Sequence, residues 1–126
     1  MMDVNLNRNF EYYQSDKSLP CDCAGCRNFF VQIKEKFPEL NEYLLSLNVD
    51  ICRPLELIWD EIDNDNKIEY WDCQYVVFGN CENDFIKKIG NIEFNKNTNC
   101  HPSTGISEEH FVLAFGTIVL DKVIEF

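Results

Sequence analysis

Apolar residues recur at two different spacings in this chain, and the spacing changes near residue 50. Cys26, Phe29, Phe30, Ile33 and Phe37 follow the three-and-four rhythm of one helical face. That run predicts a helix ended by Pro38, because proline breaks a helical ladder yet suits the first position of the next helix. In "ELNEYLLSLNVD", Leu40, Tyr43, Leu44 and Leu47 share one face, and Asn48 suits a left-handed stop. The two segments predict a helical hairpin.

Past this point the period falls to two. "PLELIWDEI" sets Leu55, Leu57 and Trp59 against Glu56, Ile58 and Asp60, the alternation of a strand with one buried face. "DNDN" is turn chemistry, since Asp and Asn bond their own backbone. "KIEYWDCQYVVFG" predicts a long strand, "IGNIEFN" a third and "HFVLAFGTIVL" a fourth. Residues 1–18 are polar and rich in Asn, with Phe10, Tyr12 and Tyr13 as anchors, and are expected to form an arm able to add an edge strand. The expected architecture is α+β: a polar N-terminal arm (1–18), then one domain (19–126). In that domain a helical hairpin packs on an antiparallel sheet of about four strands.

Composition agrees with a packed domain: 126 residues, 45% hydrophobic, with ten Phe, five Tyr and two Trp. No apolar run nears the roughly 18 residues of a membrane span. The start has no basic region followed by an apolar one, so a signal peptide is not read and a reducing, cytoplasmic setting is expected. In that setting seven cysteines, an odd number, point to metal binding or burial before disulfides.

The cysteines are unevenly spread. "LPCDCAGCRNFF" places Cys21, Cys23 and Cys26 as C-x-C-x2-C at the predicted helix start. A C-x2-C turn lets two thiolates converge at about 2.3 Å on one zinc ion, and a third two residues earlier closes another edge of the tetrahedron. Pro20 stiffens the entry and Gly25 permits a tight knuckle, while first-turn N–H groups favour thiolates. The expected site is a structural zinc centre of four cysteines tying hairpin to sheet, with Cys73 as first choice for the fourth ligand. Cys81, Cys100, His101 and Cys52 follow as alternatives.

Charge narrows the partner. Twenty-two acids against 11 bases give a net charge of −11, which repels nucleic acid and anionic lipid. Asp60, Glu61, Asp63, Asp65, Glu69 and Asp72 are opposed within their segment only by Lys67, an acidic run suited to a basic protein partner. Catalytic material is sparse. There are two histidines, and "CHPSTG" gathers a thiol, an imidazole and hydroxyls in one loop. No His–Glu pair precedes the C-x2-C as a zinc deaminase would require. No glycine-rich loop opens a helix to hold phosphate.

"LPCDCAGCRNFF", "CQYVVFG" and "HPSTGISEEHF" resemble segments of small cysteine-containing bacterial proteins. In its size, acidity and lack of a catalytic set the chain also resembles phage anti-CRISPR proteins and the immunity proteins of nuclease toxins. That resemblance implies a non-enzymatic inhibitor of a nuclease or other nucleic-acid-handling protein. The alternatives are a small zinc-dependent hydrolase using His101, and a metal- or redox-sensing accessory protein.

Overall fold

The computed structural model of the chain describes residues 2–62 and 66–126. Its sheet is organised around one strand, β3 (Lys67–Cys81). One edge of β3 takes β2 (Glu56–Ile62) along residues 67–74 and β1 (Met2–Val4) along residues 79–81. Its other edge takes β6 (His110–Gly116) opposite residues 73–78 and β7 (Ile118–Asp121) opposite residues 67–70. β5 (Ile92–Asn97) then pairs with β6, and β4 (Ile86–Ile89) lies outermost; every pairing is antiparallel.

β6 and β7 keep one register against β3, so "HFVLAFGTIVL" is in effect a single strand interrupted at Gly116–Thr117, opposite Trp71 and Asp72. At the same level the β2–β3 register slips by one residue: Ile58 faces Asp72, whereas Trp59 faces Tyr70. Trp71 is thus the extra residue of a β-bulge. Below the bulge Ile68 and Tyr70 are buried. Above it the inward set continues as Cys73, Tyr75 and Val77.

Two expectations about the elements need correction. The described residues form seven strands where about four were expected. Part of the excess comes from "IGNIEFN", which is a hairpin: Gly90 at φ +60° turns the chain, and Ile89 faces Ile92 across the turn. The run from Cys26 to Phe37 is likewise two helices, α2 (Ala24–Phe30) and α3 (Ile33–Lys36). The ladder tightens where the Gln32 N–H reaches back to the Phe29 carbonyl at 3.2 Å, and the direction changes there. The break frees the Gln32 amide to donate to the Asp121 carbonyl at 2.8 Å, while Asn28 accepts from the Val123 N–H at 2.8 Å. Asn28 of α2 and Gln32 at the break therefore fasten the C-terminal tail. Pro38 does start α4 (Pro38–Ser46), and Asn48 does take the left-handed conformation at φ +59°.

The N-terminal residues complete the sheet. Between β2 and β1 the edge of β3 has no strand beside it, and α1 (Leu6–Tyr13) fills the gap with side chains. Asn9, fully buried, accepts from the Phe78 N–H at 2.7 Å and donates to the Leu47 carbonyl at 2.9 Å. The Tyr13 hydroxyl donates to the Val76 carbonyl at 2.6 Å. Buried backbone groups need partners, and here a helix supplies what a ladder would. Of the three expected anchors Tyr12 and Tyr13 are buried, whereas Phe10 is exposed.

Candidate functional site

The cysteine knuckle lies at the start of α2. The ligand atoms of Cys21, Cys23 and Cys26 all lie within 4.8 Å of one another, with Cys21 and Cys23 exposed and Cys26 buried. Three thiolates on a tetrahedral zinc ion sit about 3.8 Å apart at bond lengths of about 2.3 Å, so a small closure brings this group into coordination range. Local bonds hold the turn. The Cys23 N–H donates to Cys21 Sγ at 3.4 Å, and the Arg27 Nε donates to the Asp22 carbonyl at 3.0 Å. Burial pushes the Cys23 thiol up, but the Cys26 and Gly25 N–H groups and the neighbouring thiols outweigh it, leaving its pKa below the usual value. Burial pushes the Cys26 thiol well up, and the Cys23 and Cys21 sulfurs add to the effect. A cation bound by all three sulfurs would offset both the desolvation and the mutual repulsion.

The knuckle is tied to the sheet by Tyr70, which no sequence motif singles out. Its hydroxyl donates to the Gly25 carbonyl at 2.7 Å and accepts from Asn28 Nδ2 at 3.2 Å. Its pKa is pushed up to about 12, chiefly by burial, so it stays a neutral donor. Gly25 is required here: a Cβ would collide with the indole of Trp59 on β2. The sequence signal was the pairing of a glycine inside C-x2-C with aromatics at 59 and 70, which carries no meaning until the register is known.

Cys73 is not part of the sulfur group. It is fully buried on β3, where burial, then Asp72 and Cys26, raise its thiol pKa well above the usual value. Among the described residues the alternatives do not join the group either. The Cys52 N–H donates to Asp50 Oδ1 at 2.9 Å, the Cys81 carbonyl accepts from Lys96 at 2.7 Å, and Cys100 Sγ lies 3.2 Å from Asn99 Oδ1. His101 Nδ1 sits 2.8 Å from the Pro102 carbonyl, and His110 Nε2 lies 2.8 Å from Thr104 Oγ1. Both rings line an open cavity of about 290 Å³ beside Lys96 and Asn97.

The acidic run divides. Asp60 and Glu69 face each other across β2 and β3, and Glu69 in turn faces Val119 of β7, so the three share one row of the outer sheet face. Glu61 points the other way, 3.5 Å from Lys122. Asp72 is committed to structure, accepting from Gln74 Nε2 at 2.8 Å and Asn97 Nδ2 at 2.9 Å. Asp63 and Asp65 lie outside the described residues. The sequence reading also missed the apolar component of this face: Trp71 is 50% exposed and Val119 43%, beside Ile58. The bulge turns Trp71 outward.

Comparison with known proteins finds no matching family profile, curated protein or solved structure. The site therefore rests on its own chemistry. No described helix is long and apolar enough to cross a membrane.

Proposed function

We propose that the protein is a zinc-stabilised, non-enzymatic binding protein whose outer sheet face covers a basic surface of a nucleic-acid-handling protein, in the manner of an inhibitor. The observation that carries this reading is the row of Asp60 opposite Glu69, next to exposed Trp71 and Val119. Like charges directly opposite in a sheet are destabilising, and among the described residues neither has an ion-pair partner. A cationic partner relieves that repulsion, and an aromatic ringed by charge is the usual anchor of an interface. Arg or Lys that otherwise grips phosphate would pair with these carboxylates. Zinc fits the knuckle because three clustered thiolates are a soft, compact donor set.

The test is quantitative. A protein captured by the immobilised chain from its own host is purified and its affinity measured at low and high salt, with nucleic acid as competitor. Expected is a basic partner that nucleic acid displaces, bound at least about tenfold more weakly by Trp71→Ala. Asp60→Asn with Glu69→Gln should flatten the salt dependence. Equal affinities for wild type and variants, or indifference to nucleic acid, would overturn the reading.

A further inference from the structure

Granting the proposed zinc ion, we infer that Cys21, Cys23 and Cys26 hold it as a three-thiolate centre whose fourth position faces solvent and takes a neutral nitrogen or oxygen donor. Water fills it in the free protein, and an imidazole from outside the chain can replace the water.

Three observations lead there. Cys21 and Cys23 are exposed residues, while Cys26 is buried. A metal held by all three thus has its remaining corner on the solvent side. Among the described residues no fourth His, Cys, Asp or Glu joins the group. None of the ligands suggested by the sequence joins it: Cys73 is completely buried, the Cys81 thiol lies 3.5 Å from the Glu82 carbonyl, Cys100 Sγ 3.2 Å from Asn99 Oδ1 and His101 Nδ1 2.8 Å from the Pro102 carbonyl. The knuckle also has no need of a fourth protein ligand for anchorage, because the Tyr70–Gly25 hydrogen bond and the Gly25–Trp59 packing already fix it to β3 and β2.

Charge then selects the donor. Three thiolates on a divalent cation leave a net charge of −1 at the centre. A fourth thiolate would make it −2, on a chain already at −11. A neutral imidazole or water brings no such repulsion and is a ligand zinc accepts readily. A site with three protein ligands and one exchangeable position differs in kind from a closed structural centre of four cysteines. It can bind a histidine of a partner, or surrender its metal to a stronger acceptor.

The experiment uses the full chain loaded with zinc for X-ray absorption, and with cobalt(II) for visible spectroscopy. Zinc-edge data should fit three sulfurs and one nitrogen or oxygen, unchanged in Cys73→Ser. Imidazole titrated into the cobalt form should shift the ligand-field bands saturably, and anionic glutathione at the same concentration should do so at least tenfold less effectively. Four sulfurs in wild type, or bands indifferent to imidazole, overturn the open position while leaving the metal reading standing. A chain that retains neither zinc nor cobalt after desalting overturns the metal reading itself. The wild-type sulfur count decides between these outcomes even if Cys73→Ser fails to fold.

Discussion

From Cys73 to Phe78 every residue of β3 is buried, whereas from Lys67 to Asp72 only the inward residues Ile68 and Tyr70 are. The backbone is one strand throughout; the difference is what covers its outer face. Over the upper half, the loop after β5 brings the Cys100 carbonyl to Gln74 Nε2 at 2.8 Å, and Arg8 of α1 lies over the Phe78 ring. Over the lower half, among the described residues, lie the row mates of Glu69 and the exposed Lys67–Asp121 pair, with Trp71 and Val119 in solvent. The chain covers one half and leaves the other open, with a tryptophan and two facing carboxylates upon it. The contrast separates residues held for stability from residues available for binding.

The sharpest way to break that contrast is to truncate one aromatic in each half. Tyr75 is fully buried, lies parallel to Phe115 at 5.9 Å and donates to the Ile51 carbonyl at 2.8 Å. Tyr75→Ala should cost about 3–5 kcal/mol through the cavity and the orphaned carbonyl. Trp71→Ala, on the open half, should cost about 1 kcal/mol or less. Urea unfolding midpoints read both. Comparable losses at the two positions would mean that the outer face is packed against something, and its proposed availability would fail.

A middle-sized effect belongs to the edge of the covered half. Asn9→Ala leaves the Phe78 N–H buried without an acceptor and the Leu47 carbonyl without a donor. A loss of about 1–3 kcal/mol is expected, with faster amide exchange at Phe78 than elsewhere in β3. An unchanged midpoint would show that water or a shifted strand replaces the amide at no cost.

Much of this is legible in the amino-acid sequence alone, and the parts that are not have identifiable physical causes. The C-x-C-x2-C knuckle can be read because its ligands are local: six residues and one turn decide where the sulfurs go. β2 and β3 can be read because alternation is a local property of a half-buried strand. The division of the acidic run cannot. It depends on register, on a bulge at Trp71 that shifts the inward set from even to odd numbers, and on Lys122 arriving from 61 residues away. The role of α1 is hidden for a similar reason. Tyr13 reads as an anchor and Asn9 as one more polar residue, because the value of both hydrogen bonds lies in satisfying the edge of a strand 63 to 69 residues later. Cys73, expected as the fourth ligand, is completely buried and does not join the sulfur group, a separation set by tertiary packing that no local spacing reveals.

The smallest expected effect tests the clasp holding the cover in place. Arg8 on α1 meets Glu108 with Nη2 2.8 Å from Oε1, and its Nε donates to both carboxylate oxygens. This hydrogen-bonded pairing holds the Glu108 carboxyl below its ordinary value of 4.5. A depressed carboxylate contributes stability that is fully present above its unfolded pKa and is lost as pH falls through the folded one. The advantage of wild type over Glu108→Gln should therefore be constant near neutral pH and close as pH drops below about 4.5. It should be small, because the pair is solvent-exposed, and it should shrink with added salt. Melting temperatures of the two proteins across that range provide the measurement. On the open half, Asp121 is depressed in the same way by Lys67, 2.8 Å away, and Asp121→Asn serves as the control. If the cover matters, losing Glu108 should also speed amide exchange in Gln74 and Val76 beneath it, whereas losing Asp121 should leave those amides alone. Equal exchange in the two variants would mean that the loop stays in place without its clasp, and that apolar packing such as that of Ile106 keeps the upper half closed.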